Sequence, residues 1–306
     1  MPAERTSENV AFVLNVFERN IQEVTEPGFI TRAVTQQNHR FTSRTLLINN
    51  VDDRDAASER AQAAVDRGEI DDFAFVDDHV DAALRIVRLT KRDFGRYLHW
   101  SDCCVVALTM KGPDLLCYVD VDLELRGSAD WIEDALEVFA EDPRVGVANP
   151  NWRMADGSTS VEAEADERGP GWLKGYGFTD QIFLCRRSTF ARPLMPRIVP
   201  LAVSCPVSLR YFGQQLMFGT STLFFEQVID SFMRRNRILR LTLTSREFEP
   251  VPMSSYPSVG FEERVTARLT RTWLSGLQSL RDRFPNWITS PRVRMTGLLD
   301  PQYRRD

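Results

Sequence analysis

Asp120 and Asp122 stand at the end of LLCYVDVDLEL, residues 115–125, a run otherwise apolar enough to form a buried strand. Side chains two apart on a strand point to the same face, so the two carboxylates can converge on one cation where the strand leaves its sheet. Hard oxygen pairs of this kind suit Mg²⁺ or Mn²⁺ carrying a phosphate-bearing substrate. The alternative for any D-x-D is a strand end with two solvated acids.

The elements around this run are those of an α/β protein. Strand-like and helix-like segments alternate through the first half, the pattern of a parallel sheet with crossover helices. Residues 10–17 read as a first strand. A helix is expected over 27–41 with Thr25 as its cap, then a strand over 44–51 and an alanine-rich helix over 55–67 that Gly68 terminates. A short strand at 72–76 and a helix over 94–110 lead into the D-x-D strand. Beyond it, Ser128 is placed to cap a helix through Phe139, and 145–149 is another strand. Residues 152–177 read as a loop, 181–185 as a strand, 193–206 as irregular, 225–236 as a helix and 237–243 as a strand. Phe261, Val265, Leu269, Trp273 and Leu277 recur every fourth residue between arginines, which makes an amphipathic helix.

Composition narrows the classes. With 306 residues, 43% hydrophobic and 26% charged, the chain can bury one sizeable α/β domain with appendages. The expected division is a catalytic domain over 1–245 and a helical extension over 246–306. Five cysteines without a C-x-x-C pair argue against a disulfide framework or a zinc site. The only histidines, His39, His79 and His99, lie in the first third, which excludes a catalytic triad with a late His. No apolar run approaches the roughly 20 residues that span a bilayer, and the N-terminus is not signal-like, so the expected location is cytoplasmic. From Ser231 onward, fourteen Arg oppose seven Asp and Glu, a local charge of +7 against −12 before it. The basic helix either packs on its own domain or makes a peripheral contact with anionic lipid at the inner face of the membrane. Nucleic acid is not an expected partner.

In open α/β folds ligands bind beyond the C-terminal strand ends. That rule nominates Asn15 and Arg19 after the first strand, and Asn49, Asp52 and Asp53 after the second, for a base and ribose; Asn50 crowds the same turn, and a polar loop with a helix cap is the competing assignment.

The order of these parts resembles a GT-A glycosyltransferase, near the large inverting family that uses nucleotide-sugar donors. The matching pieces are the first strand with Asn15 and Arg19, the second with NNVDD at 49–53, DFGR at 93–96, Asp120-Val-Asp122 with its helix and strand, and FFEQVIDSFMRRN at 224–236. The resemblance covers roughly residues 10 to 243. It implies a GT-A, Rossmann-like, mostly parallel sheet flanked by helices. It also implies transfer of a sugar, hexosyltransferase-type, from a nucleoside-diphosphate sugar to a saccharide, lipid-linked or small-molecule acceptor. Two departures are visible: Glu226-Gln227 stands where the family often has Glu-Asp, and no Q-x-x-R-W motif is found, which argues against processive polymerisation.

The resemblance implies a divalent metal, Mn or Mg, with Asp122 in direct coordination and Asp120 touching the ribose or the ion through water. It places Asp93 and Arg96 along the diphosphate and sugar, with Tyr97, His99 and Trp100 either lining the sugar pocket or packed in the core. An inverting mechanism needs a carboxylate base; Glu226 is the choice, and Asp230, one turn later with Arg234 as an ion-pair partner, is the rival. Asp180 is a third acid that holds donor sugar or acceptor, or caps its turn. Two other classes compete. A nucleotidyltransferase of related fold would want lysines in a phosphate loop after the first strand, yet the only lysines are Lys91, Lys111 and Lys174. A non-catalytic carbohydrate- or protein-binding relative would keep the fold without metal-dependent nucleotide binding.

Overall fold

A computed structural model of the chain describes residues 9–127, 130–152, 165–194 and 225–250. The strands form a ten-stranded mixed sheet. They are β1 Val10–Phe17, β2 Ser43–Asn49, β3 Asp72–Phe75, β4 Leu115–Asp120, β5 Leu123–Arg126, β6 Val145–Trp152, β7 Ala165–Gly169, β8 Trp172–Gly175, β9 Ile182–Arg186 and β10 Leu239–Pro250. Their order is β3-β2-β1-β4-β9-β6-β10-β8-β7, with β5 paired to β10 off this path. β1, β2, β3, β4, β6, β7 and β10 run one way, and only β5, β8 and β9 oppose them. The architecture is thus α/β, a mixed sheet of mostly parallel strands flanked by helices.

Alternation along the strands sorts side chains onto two faces. On one, Val10, Phe12, Leu14 and Val16 of β1 join Leu46, Ile48, Cys117, Val119 and Leu184. Four of the described helices cover this face: α1 (Glu18–Val24), α2 (Phe29–Thr35), α3 (Arg54–Asp66) and α7 (Trp131–Glu141). Ala57, Ala61 and Ala64 bring α3 close, while Trp131 and Phe139 of α7 fill the wider space. Burial of each large apolar side chain contributes about 1.5–3 kcal/mol. On the opposite face, Tyr118 stacks on Phe183 with ring centroids 4.9 Å apart. That face carries α4 (Val76–Val87), α6 (Leu98–Thr109), α8 (Arg187–Phe190) and α9 (Phe225–Asn236), with Phe178, Phe190, Phe225 and Phe232 forming an aromatic cluster.

Several elements differ from the sequence reading. An unexpected helix, α1, precedes a shorter one, α2 (Phe29–Thr35), in place of the helix expected over 27–41. Thr25 closes the first instead of opening the second, because its hydroxyl donates to the Ile21 carbonyl at 2.7 Å; Gly28 then turns the chain at φ +89, a conformation that a Cβ disfavours. The amphipathic α4, burying Val76, Val80, Ala83, Leu84 and Val87, is new. The helix expected from Phe94 starts at Leu98, preceded by α5 (Lys91–Phe94) and a 3-10 turn, Gly95–Tyr97. Within 152–177 the hairpin β7–β8 replaces loop. The 115–125 run is two strands, since Val121 and Asp122 form a turn and Leu123–Arg126 pairs with β10. β10 itself continues past Leu243 to Pro250.

The expected helix over 261–277, the extension to residue 306, the Ser128 cap and Cys205 lie outside the described residues. Cys103, Cys104, Cys117 and Cys185 are buried thiols without disulfides. Among the described residues no helix is long and apolar enough to cross a membrane.

A Cβ on Gly146 of β6 would stand 2.5 Å from Ile238 Cγ2. Gly146→Ala is therefore expected to destabilise the chain by about 1–3 kcal/mol through overpacking, measurable as a lowered urea midpoint.

Candidate active site

Asp120 is the last residue of β4, and the strand's apolar side chains fix where its carboxylate goes. Asn15 is its register partner on parallel β1. Asn15 Nδ2 donates to Asp120 Oδ1 at 2.9 Å, and the Tyr118 hydroxyl, two residues back on the same face, donates to the same oxygen at 2.8 Å. The Asp120 N–H donates to the Gln181 carbonyl at 2.7 Å, which ties the loop carrying Asp180 to the end of β4. Asp122 follows in the turn to β5. Burial, then the charges of Asp122 and Asp180, hold the Asp120 carboxyl well above the usual range, although Asn15 and Tyr118 favour its ionised form.

Glu226 lies in the first turn of α9. Ser101 Oγ accepts from the Phe225 N–H at 3.3 Å, and the Phe225 ring packs edge-on to Phe178, so α6 and the loop before β9 jointly set where this helix begins. Glu226 and Asp180 are hydrogen-bonded to each other through their carboxyls, and the Asp180 N–H also donates to Glu226. Burial, offset by that carboxyl contact, leaves Asp180 at about 6. Burial followed by the Asp180 charge pushes Glu226 well up, against the pull of Arg240. Asp120, Asp122, Asp180 and Glu226 thus form one carboxylate field at the C-terminal edge of the sheet.

At the end of β2, buried Asn49 donates through Nδ2 to the His99 carbonyl at 3.1 Å and to Asp102 Oδ1 at 3.2 Å. Asn50 Nδ2 donates to the same His99 carbonyl at 2.9 Å. Asp102, 5% exposed on apolar α6, is raised to about 6, chiefly by burial.

The other nominated residues are spread more widely. Arg19 on α1 and Asp52 after β2 are exposed; the Asp52 N–H donates to Glu18 Oε1 at 3.1 Å. Asp53 caps α3 by accepting from the Ala56 N–H at 3.0 Å. Asp93 accepts from the Thr90 N–H at 2.6 Å and hydroxyl at 2.8 Å, which fixes the start of α5. Arg96 lies in the 3-10 turn that follows, its side chain outside the description. Asp230 is buried against Arg234, Nε to Oδ2 2.9 Å. The structure therefore brings Asn15, Asp120, Asp122, Asp180 and Glu226 together, with Asn49 on the same face of the neighbouring strand, while Asp53, Asp93 and Asp230 are engaged in local contacts.

Two residues escaped the sequence reading. Tyr118 was legible, because alternation puts it on the face of Asp120. Asp102 carried a weaker signal, an acid inside an apolar helix.

Among the described residues no group of three or more His, Cys, Asp or Glu side chains is arranged to hold a metal ion by itself. The donor set still fits a hard divalent cation that keeps water or phosphate oxygens as further ligands, since such ions are commonly held by one or two carboxylates. The mutual repulsion among Asp120, Asp122 and Asp180 is what a cation would offset.

No family model and no curated protein matches the sequence. Solved structures that resemble it include GT-A glycosyltransferases. Mannosyl-3-phosphoglycerate synthase from Rubrobacter xylanophilus is 13% identical over 96% of this chain and 76% of its own, with a TM-score of 0.43. Glucosyl-3-phosphoglycerate synthase from Mycobacterium tuberculosis, in complex with Mn²⁺, UDP and glucosyl-3-phosphoglycerate, is 11% identical over 88% and 79%, with a TM-score of 0.38. GalNAc-T7, with UDP, GalNAc and Mn²⁺, is 8% identical over 98% of this chain and 59% of its own, with a TM-score of 0.48. Each is a likeness of outline alone.

Asp102 and Asp180, both at about 6, keep their protons in the folded chain at a pH where the unfolded chain, with carboxylates near 4, has released them. Stability therefore falls as pH rises from about 4 through about 6; for Asp102 the cost at neutral pH is about 3 kcal/mol. Asp142, pulled far down by Arg144 and Lys174, acts oppositely, but its contribution is already complete above about pH 5. The metal-free protein should melt at a lower temperature at pH 7.5 than at 5.5, and Asp102→Asn should flatten that slope; an unchanged slope in the variant would refute the assignment.

Proposed function

We propose that the chain is a metal-dependent glycosyltransferase that moves a sugar from a nucleoside-diphosphate sugar to an acceptor hydroxyl. The observation that carries this reading is the carboxylate field at the C-terminal edge of the sheet, where two acids suited to a divalent cation adjoin an acid suited to removing a proton. Asp120, fixed by Asn15 and Tyr118, and Asp122 in the adjoining turn would hold Mn²⁺ or Mg²⁺. Bound there, such an ion supplies Lewis-acid neutralisation of the charge that develops on a leaving diphosphate.

Glu226 is the base. As the acceptor oxygen bonds to the anomeric carbon and the bond to the diphosphate breaks, the hydroxyl proton passes to this carboxylate, giving inversion. Burial, then the charge of Asp180, raise its proton affinity against the pull of Arg240, and a base works best when that affinity is near the operating pH. Asp230 is the weaker choice because Arg234 holds its carboxylate. Asp180, hydrogen-bonded to the base, orients it and adjoins the donor sugar. Asn49, with Arg19, Asp52 and Asp53 around the first two strand ends, is assigned to the base and ribose. Asp93 and Arg96 are assigned to the diphosphate, with Asp93 acting through the turn it caps. The acceptor is a saccharide, a lipid-linked sugar or a small molecule.

A melting screen with UDP, GDP, dTDP and CDP, with and without Mn²⁺, tests the reading, because a ligand that binds only the native state raises its melting point. Asp122→Asn should abolish the Mn²⁺-dependent part of the shift. Glu226→Gln should keep the shift and lower turnover by about 10²–10⁴-fold. If that variant lost nucleotide binding, Glu226 would leave the base role.

A further inference from the structure

Both side-chain hydrogen bonds to Asp120 end on the same oxygen. Asn15 Nδ2 donates to Oδ1 at 2.9 Å and the Tyr118 hydroxyl at 2.8 Å. A carboxylate oxygen offers about two lone-pair sites, so these two donors fill Oδ1. Neither is easily moved aside. Asn15 and Tyr118 are fully buried, and each is held on a strand, Asn15 as the register partner of Asp120 on β1 and Tyr118 two residues before it on β4. The Tyr118 ring stacks on Phe183 with the ring planes 12° apart, and Cys103 Sγ lies 3.4 Å from its hydroxyl. Because that hydroxyl has a single proton and gives it to the carboxylate, the thiol is the donor in this second contact. Oδ2 takes no hydrogen bond among the described residues, and Asp120 as a whole is only half-buried.

Resting on the metal-dependent reading above, we infer that Asn15 and Tyr118 determine which cation the site accepts: they reserve Oδ1, leave Oδ2 alone to offer, and so favour Mn²⁺ or Mg²⁺ over Ca²⁺. Ca²⁺ takes about six to eight oxygens and commonly reaches that number by gripping both oxygens of a carboxylate. Smaller ions hold to octahedral geometry and keep water or phosphate oxygens for much of it. A grip on both oxygens of Asp120 would have to displace the amide or the phenol, which leaves a buried donor unpaired. Contact through one oxygen keeps both hydrogen bonds.

Electron paramagnetic resonance tests this without turnover, since the signal of free aqueous Mn²⁺ fades when the ion is bound. Mn²⁺ is titrated into the full chain without nucleotide, and Ca²⁺ is then added as competitor. The wild-type chain should prefer Mn²⁺ by at least about tenfold, and Asp122→Asn should abolish the uptake. Tyr118→Phe, which removes the hydroxyl and keeps the stacked ring, should narrow the preference by about threefold or more. Asn15→Leu, which removes the other donor at similar volume, should narrow it likewise. A packing role alone would weaken both ions equally and leave the ratio where it was. Equal affinity for the two ions in the wild type, or a preference unmoved in both variants, would overturn the inference and leave the transferase reading in place. No uptake of Mn²⁺ by the folded wild type would overturn both. Selective uptake that the variants relax, with no melting shift from any nucleotide, would keep this cation selectivity and lose the transferase reading.

Discussion

Asp120 ends a strand whose other side chains are apolar, and its carboxylate shares a half-buried space with Asp122 and Asp180. Like charges in such a space repel, and the chain concentrates them there instead of dispersing them. Asn15 and Tyr118 hold one of the acids by donating to the same oxygen. Each donor sits on a strand of the sheet, so the sheet's register sets the position of the charge. Where preorganised carboxylates raise one another's proton affinity, a cation that relieves the repulsion gains a binding advantage over water.

The division of labour between the two faces follows from this. The side bearing α1, α2, α3 and α7 is a continuous apolar core that stabilises the fold. The other side combines an aromatic cluster with the polar residues of the strand ends and with buried Asn149 and Thr242, register partners on β6 and β10. Phe178 and Phe225 show how packing and chemistry connect: their edge-on contact seats α9 against the loop before β9, so that Glu226 meets Asp180. The C-terminal edge then presents Asp120 and Asp122 at the end of β4 and Glu226 at the start of α9, with the loop that carries Asp180 tied to β4 through the Asp120 to Gln181 bond.

Much of the frame was legible because it depends on local pattern. The apolar strands, the alanine-rich helix before Gly68, and the helix over 225–236 follow from hydrophobic spacing and helix stop signals, and the acids at 120, 122, 180 and 226 stand out as charges at element ends. The hairpin over 165–175 was hidden because its first strand is polar and only partly buried, leaving no alternation to read. Asp53 and Asp93 look alike in sequence whether they meet a ligand or a backbone N–H; only coordinates show that both cap helices. Asp102 needs tertiary structure for its meaning, since its partner Asn49 is 53 residues away. The basic helix expected over 261–277 lies, like the Ser128 cap, outside the described residues.

The bond between Asn15 and Asp120 joins residues 105 apart in sequence, and Glu226 enters from a segment later still. Contacts so distant along the chain form late in folding, because loop closure must precede them. The carboxylate field is consequently a product of the completed sheet, and partly folded or truncated forms that lack β9 and α9 present isolated acids with ordinary proton affinities. The raised proton affinity of these acids would thus serve as a clock for the last stage of assembly.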